Sequence, residues 1–206
     1  MSPPSWSRTV FERLHRRRPD PWGVGTRAYE HDKYRQTLAV LSGRHFSFAL
    51  ELGCSIGMMT ARLARRCERV MAVDVAEAAL ERARRRCAGL DGVSFYRGQL
   101  PDGFPPLPAR ACDLIVVSEM LYFLSRHDIR RLAAHCLRVR QAGGPIVLAN
   151  WTGPTDTPCT GDEAARHFIN ACRAGGLHVT HARRYARYRL DVVNGPDSAP
   201  PVADPT

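Results

Sequence analysis

Short apolar segments alternate along the chain with longer segments in which apolar residues recur every three or four positions. The short segments are rich in Val, Ile, Leu and Phe and predict buried β-strands, whereas the wider spacing is typical of amphipathic helices. The predicted strands cover residues 46–51, 69–74, 92–97, 112–118, 145–150, 177–183 and 185–193. The predicted helices cover residues 29–42, 57–66, 76–87, 127–140 and 161–174.

This alternation predicts an α/β fold, with a mostly parallel seven-stranded sheet and helices on both faces. The last two strands are joined by a tight turn. A parallel crossover needs about a dozen residues or more, so these strands are expected to form a C-terminal antiparallel hairpin.

The 206 residues fit one domain flanked by two further segments. Prolines and glycines break residues 1–28, which we expect to be irregular or partly helical. Residues 29–193 form the predicted domain. Residues 194–206 are polar and proline-rich, which indicates a disordered tail. No run of 18 apolar residues occurs, so we expect no membrane span.

The first predicted strand continues into Glu51, Gly53, Cys54, Ser55 and Gly57. The two glycines would let the backbone approach a ligand closely. A dinucleotide site would need a third glycine to seat a pyrophosphate, and a carboxylate at position 51 would repel that group. The segment therefore favours a nucleoside cofactor that carries an ammonium group.

The second predicted strand ends at Asp74, which is placed to accept hydrogen bonds from the two hydroxyls of a ribose. Its alternative role is to cap the helix that follows. Ligands of such sheets bind outside the carboxyl ends of the strands. The other residues at those ends are Val75, Gln99, Leu100, Ser118, Glu119, Tyr122 and Trp151. Gln99 could instead be an ordinary turn residue, and Glu119 a surface residue.

The formal net charge is +10, and 29 of the 30 basic residues are arginines, with Lys33 as the exception. Arginines cluster at residues 16–18 and 82–86. We favour solvated helix faces over a nucleic-acid interface, because no interleaved aromatic residues and no recognised nucleic-acid-binding motif accompany the charge.

The seven cysteines are scattered and form no C-x-x-C pair. This odd number without metal-site spacing favours reduced thiols in the cytoplasm. No His, Cys or carboxylate spacing indicates a zinc site, so no metal is expected.

The segment from Glu51 to Gly57 resembles the first motif of class I S-adenosylmethionine (SAM)-dependent methyltransferases, E/D-x-G-x-G-x-G, with Ser55 replacing the middle glycine. The resemblance implies a Rossmann-like class I methyltransferase fold and SAM as the cofactor. In that pattern an acidic residue usually accepts a hydrogen bond from the adenine amino group. Gln99 stands there and would accept it more weakly, while Val75 or Leu100 would pack on the adenine.

A narrower resemblance rests on Asp20-Pro-Trp22, Tyr29-Glu-x-x-Lys33, the run at 114–122 and Thr160-Gly-Asp-Glu163. Together with the glycine segment, these look like NodS-type methyltransferases over residues 20–190. The family includes rhizobial N-methyltransferases that act on the free amine of a chitooligosaccharide. We do not carry the sugar over, because NodS-like proteins also act elsewhere.

The resemblance implies that residues 1–28 form a lid over the SAM pocket. Lys33 would reach the methionine carboxylate of SAM; the alternative is a surface ion pair with Glu30. Tyr29, Trp22 and Trp151 are candidate substrate-binding residues, although either tryptophan could belong to the core.

We therefore expect a SAM-dependent methyltransferase that acts on a small molecule, with an amine as the leading acceptor. Glu119, Tyr122 and Glu30 are the candidate catalytic residues, since an amine must lose its proton to attack. The alternatives are O- or S-methylation, methylation of nucleic acid or protein, a non-catalytic SAM-binding protein and a nicotinamide-dependent reductase. The sequence makes no prediction of the oligomeric state.

Overall fold

The structure is a computed structural model that describes residues 3–41 and 43–195. The helices are α1 (Arg8–Arg17), α2 (Ala28–Ala39), α3 (Thr60–Leu63), α4 (Glu77–Arg86), α5 (Arg126–Val139) and α6 (Gly161–Ala174). The strands are β1 (Phe46–Leu52), β2 (Cys67–Asp74), β3 (Val93–Arg97), β4 (Leu114–Ser118), β5 (Ile146–Trp151), β6 (His178–Arg184) and β7 (Tyr188–Asn194). A single 3₁₀ turn, Leu121–Phe123, follows β4 within these residues.

The seven strands form one sheet in the order β3-β2-β1-β4-β5-β7-β6. Strands β1 to β5 run parallel, whereas β7 pairs antiparallel with both β5 and β6. The predicted mostly parallel sheet with a C-terminal antiparallel hairpin is confirmed.

Both faces of the sheet are covered because the central strands are apolar on both sides. All five residues of β4 are buried. Ile115 and Val117 pack in the larger core beneath α5 and α6. Leu114 and Val116 lie in the core on the opposite face, with residues of α2 and α3.

One predicted helix is much shorter in the structure. The helix predicted at 57–66 is reduced to α3, because Gly57 has a φ of 78° and holds the backbone in the left-handed region. Residues 1–28, which we expected to be irregular or partly helical, contain the helix α1. The predicted disordered tail does not begin at residue 194, because Asn194 ends β7. Residues 196–206 of that tail lie outside the described part of the chain.

The strand order reverses direction at β1, which has β2 on one side and β4 on the other. Loops on the two sides of such a switch point leave the sheet in opposite directions, and a crevice opens between them at the carboxyl ends of the strands. This crevice holds the site described below. No helix of the described residues is long and apolar enough to span a membrane.

Candidate cofactor and acceptor site

A cavity of about 340 Å³ lies in the crevice at the carboxyl ends of β1, β2, β4 and β5. All predicted site residues line it except Lys33 and Gly57. The predicted residues that line it are Trp22, Tyr29, Glu30, Glu51, Gly53, Cys54, Ser55, Asp74, Val75, Gln99, Leu100, Ser118, Glu119, Tyr122 and Trp151. The fold therefore brings together residues that are separated by more than 120 positions in the sequence.

The turn after β1 follows the glycine pattern only in part. Gly53 has a φ of 84°, and a Cβ there would lie 2.9 Å from the Cβ of Met120. Gly57 has a different role from the one predicted. A Cβ at that position would lie 3.0 Å from Ala83 of α4, so Gly57 allows close packing of the loop on a helix.

Ser55 adopts a φ of 48°, in the left-handed region where the resemblance places a glycine. Its side-chain hydroxyl is buried and has no hydrogen-bond partner among the described residues. An unpaired buried hydroxyl costs free energy unless a ligand or water completes it. This hydroxyl therefore marks a position where the cavity wall requires a polar partner.

Glu51 is buried at the end of β1 and faces the cavity. The hydroxyl of Thr60 donates a hydrogen bond of 2.6 Å to its Oε2. Burial raises the pKa of Glu51 to about 7, and the nearby negative charge of Asp74 acts in the same direction. The described residues supply no ion-pair partner for this carboxylate, which makes it suited to bind a cationic group of a ligand.

Asp74 is held in place by the backbone on both sides of the crevice. Its Oδ2 accepts a hydrogen bond of 2.8 Å from the amide of Ser55, and its Oδ1 accepts one of 2.9 Å from the amide of Ala76. Burial raises the pKa of Asp74, although these hydrogen bonds oppose the shift. Each carboxylate oxygen has a second lone pair, so the capping role does not exclude binding to hydroxyls in the cavity.

Helix α1 covers this end of the cavity, and hydrogen bonds between separate elements hold it there. Gln99 Oε1 accepts a hydrogen bond of 3.1 Å from the amide of Arg8, the first residue of α1. In return, Glu12 of α1 accepts one of 2.8 Å from the amide of Glu77, the first residue of α4. Each helix thus has its N-terminus capped by a side chain from elsewhere. The oxygen of Gln99 that we predicted to accept a hydrogen bond from adenine accepts one from α1 instead.

The N-terminal segment also supplies lining residues that the sequence analysis missed, namely Trp6, Phe11 and His15. Trp6 and Phe11 pack against Phe123, with ring centroids 4.9 and 5.0 Å away. The sequence pattern that could have revealed them is the helical spacing of the apolar residues Val10, Phe11 and Leu14, which indicates an amphipathic helix in this segment.

Lys33 lies at the centre of a buried charge cluster. Its ammonium is 2.7 Å from Glu30 Oε2 and 2.6 Å from Glu119 Oε1. The alternative of a surface ion pair is wrong, because both Lys33 and Glu30 are buried. Lys33 does not line the cavity, so this geometry does not support the predicted contact with the cofactor carboxylate.

Glu119 is fixed by more contacts than any other candidate catalytic residue described here. Besides Lys33, it accepts hydrogen bonds of 2.7 Å from the Tyr122 hydroxyl and 2.9 Å from the Trp151 amide. Its backbone has a φ of 56°, which turns the chain sharply after β4. Burial and the adjacent Glu119 raise the pKa of Tyr122 well above its usual range, so the phenol stays protonated as a donor.

Aromatic rings enclose both ends of the cavity. Tyr29 and Trp151 approach to 5.7 Å between ring centroids next to the charge cluster. Trp22 instead packs on the Phe123 and His15 rings, at 6.0 and 5.2 Å. Trp22 therefore lies with α1, and Trp151 with the carboxylates.

The sheet order with β7 reversed beside β5, and the cavity at the switch point, define the class I methyltransferase fold. The chain belongs to the NodS (nodulation protein S) family, whose model matches residues 8–141. The described residues contain no group of three or more His, Cys, Asp or Glu side chains placed to hold a metal ion.

Curated relatives include nodulation protein S of Rhizobium tropici, 32% identical over 133 residues, covering 64% of this chain and 55% of the relative. Nodulation protein S of Sinorhizobium fredii is 33% identical over 130 residues, covering 62% of this chain and 59% of the relative. The matched region thus spans little more than half the length of these relatives.

Solved structures show the same fold at low identity. N-methyltransferase NodS from Bradyrhizobium japonicum WM9, in complex with S-adenosylhomocysteine, has a TM-score of 0.74 and 23% identity, over 91% of this chain and 97% of that one. The [4+2]-cyclase SpnF has a TM-score of 0.70 and 14% identity, over 96% of this chain and 100% of that one. The fold alone therefore does not fix the reaction, and function must be argued from the site.

Proposed function

We propose that this protein is a SAM-dependent methyltransferase that N-methylates a small-molecule amine. The observation that carries the proposal is a single cavity with two different ends. One end presents the glycine turn, Glu51 and Asp74. The other presents aromatic rings beside the carboxylates of Glu30 and Glu119.

The first end fits SAM in chemistry as well as in shape. Gly53 has no room for a side chain, and the buried hydroxyl of Ser55 lacks a partner among the described residues. Glu51 offers a buried carboxylate to the ammonium of the methionine part, and Asp74 offers free lone pairs to the ribose hydroxyls. Val75 and Leu100 line the same end and supply apolar surface for adenine.

The second end favours a cationic or neutral amine over an anionic acceptor. Two carboxylates, Glu30 and Glu119, surround the single ammonium of Lys33, so the cluster carries a net negative charge. The rings of Tyr29 and Trp151 add electron-rich faces that attract cations. A phenolate or carboxylate acceptor would be repelled by the same charge.

The cofactor supplies an electrophilic methyl group on its sulfonium. The protein must hold the acceptor nitrogen in line with that group, exclude water and remove a proton from the amine. We assign Glu30 as the base that accepts the proton of the amine, because it faces the cavity beside Tyr29. Lys33 pairs with both carboxylates, but Glu119 also accepts hydrogen bonds from Tyr122 and Trp151, and it positions these groups.

Binding and turnover measurements test the proposal. Calorimetric titration is expected to show binding of SAM and of S-adenosylhomocysteine but no binding of NADH. A screen of matched amine, phenol and thiol acceptors, followed by mass spectrometry, is expected to show methyl transfer to amines. A protein that binds neither sulfur nucleoside would disprove the proposal. Transfer to phenols or thiols alone would disprove the amine assignment.

Glu51 is expected to make cofactor binding depend on pH. An ammonium stabilises the ionised carboxylate, so affinity should fall by up to about tenfold per pH unit below pH 7. The stability of the ligand-free protein should depend on pH in the opposite direction. Because the pKa of Glu51 in the folded protein exceeds the ordinary value of 4.5, the free energy of unfolding falls as the pH rises from 4.5 towards 7. Titrations with S-adenosylhomocysteine between about pH 5.5 and 8 measure the first slope, and unfolding curves the second.

The Glu51→Gln variant is the control for this prediction, because it keeps the shape and a hydrogen bond from Thr60 but cannot ionise. We expect weaker binding with little dependence on pH in this range. If the variant retained the slope of the wild type, another group would be responsible for it.

The seven cysteines are all buried and unpaired. We infer a cytoplasmic location from this, because thiols persist in reducing compartments.

A further inference from the structure

His15 is a buried histidine with an incomplete set of hydrogen bonds. It lies on α1, is 1% exposed and lines the cavity. Its ring packs edge-on against Trp22, with centroids 5.2 Å apart and an interplanar angle of 67°. Its Nδ1 is buried and has no hydrogen-bond partner among the described residues. Buried polar nitrogens are nearly always paired, so this atom indicates a partner outside the described residues.

The surroundings of His15 favour the neutral imidazole. Burial lowers its pKa, and the positive charge of Arg82 on α4 adds to the effect. The negative charges of Asp74, Asp20 and Glu12 oppose it. A neutral imidazole has one N–H and one lone pair, so it pairs well with a hydroxyl, which both donates and accepts.

We propose that His15 is a cofactor-binding residue that hydrogen-bonds a ribose hydroxyl of the nucleoside already held by Asp74. This inference rests on the proposed function. A hydroxyl that donates its hydrogen to the carboxylate of Asp74 keeps its own lone pairs, and Nδ1–H of His15 donates to one of them. The ribose then completes Nδ1 of His15, the buried side-chain nitrogen of α1 that has no hydrogen-bond partner among the described residues.

The bond would couple the cofactor to the closing of α1. The other polar contacts of this helix, from Arg8 to Gln99 and from Glu77 to Glu12, join protein to protein and exist without a ligand. The His15 contact requires the ligand. Cofactor binding should therefore slow the opening of α1, whereas loss of the imidazole should remove much of this protection.

The test compares His15→Phe, which keeps an aromatic ring beside Trp22, with His15→Asn, which restores a donor near the position of Nδ1. Exposed His127 supplies the control variant His127→Phe. The probes are S-adenosylhomocysteine and its 2′-deoxy and 3′-deoxy forms, titrated by calorimetry. Hydrogen exchange of the α1 amides is measured with and without S-adenosylhomocysteine.

We expect His15→Phe to bind S-adenosylhomocysteine about tenfold more weakly than the wild type, with His15→Asn recovering part of the loss. One of the deoxy forms should bind the wild type more weakly by a factor that shrinks in His15→Phe. The ligand should protect the α1 amides in the wild type and His127→Phe, and much less in His15→Phe.

The proposal would be overturned if each deoxy form lost the same factor in affinity in the wild type as in His15→Phe. His15 would then act only through packing. Unchanged affinity and unchanged α1 protection in His15→Phe would overturn it as well. A wild type that binds no S-adenosylhomocysteine would overturn the proposed function itself, and this outcome is distinct from the other two.

Discussion

Replacement of Asp74 by alanine is expected to weaken binding of S-adenosylhomocysteine by more than about a hundredfold. The variant removes the charged acceptor for two ribose hydroxyls, and a hydrogen bond to a charged group contributes about 1.5–3 kcal/mol. It also leaves the amides of Ser55 and Ala76 without their carboxylate, so the glycine turn loses its anchor. Calorimetric titration of both proteins measures the ratio of affinities.

Asp113 offers a matched control for the structural part of this effect. Its carboxylate also bridges two backbone amides, those of Ser47 at 2.7 Å and Phe48 at 2.9 Å, at the opposite end of β1. Asp113→Ala should lower the free energy of unfolding by a comparable amount while leaving the affinity for S-adenosylhomocysteine unchanged. If Asp74→Ala weakened binding no more than Asp113→Ala did, Asp74 would have only the capping role.

Replacement of Lys33 by methionine is expected to lower the free energy of unfolding by about 3–5 kcal/mol. Methionine fills most of the space, but it leaves the buried carboxylate of Glu30 and the partly buried carboxylate of Glu119 without their cation. Denaturant unfolding of the wild type and the variant measures the loss.

Arg35→Met on the same helix is the control for this prediction. Arg35 forms an ion pair with Asp32 at the same i, i+3 spacing, but its side chain is 75% exposed. An exposed pair of this kind contributes at most about 1 kcal/mol. The double variant Lys33→Met/Glu119→Gln should recover part of the stability, because it leaves one carboxylate without its cation instead of two neighbouring ones. Equal effects of Lys33→Met and Arg35→Met would show that the buried cluster adds little.

Local sequence patterns predicted the sheet and one end of the cavity. The turn with Gly53 and the carboxylate of Asp74 each follow an apolar strand directly, and parallel strands bring their carboxyl ends to one edge. Neither inference needs knowledge of distant contacts. The same holds for the antiparallel hairpin, which follows from the short connection between the last strands.

The position of α1, and the arrangement of the cavity end that contains Glu30 and Glu119, depend on contacts between residues that are distant in sequence. The amide of Arg8 donates a hydrogen bond to Gln99, 91 positions away, so the side chain of Gln99 contacts α1. Lys33 is buried and forms an ion pair with the partly buried Glu119, 86 positions away. A pattern in a single sequence shows that each residue is polar, but it does not show which partner satisfies it. Gly57 is a similar case, since only the packed structure reveals Ala83 beneath it.

The buried position of Lys33 has a consequence for chemical labelling, because the sequence contains no other lysine. Reagents that acylate or reductively alkylate ε-amines find no such group on the folded surface. The surface carries its positive charge on guanidinium groups, which stay protonated and do not react with these reagents. Modification of Lys33 would require α2 to separate from the loop that carries Glu119. The rate of Lys33 modification would therefore report how often the cavity opens at the end that contains Glu119.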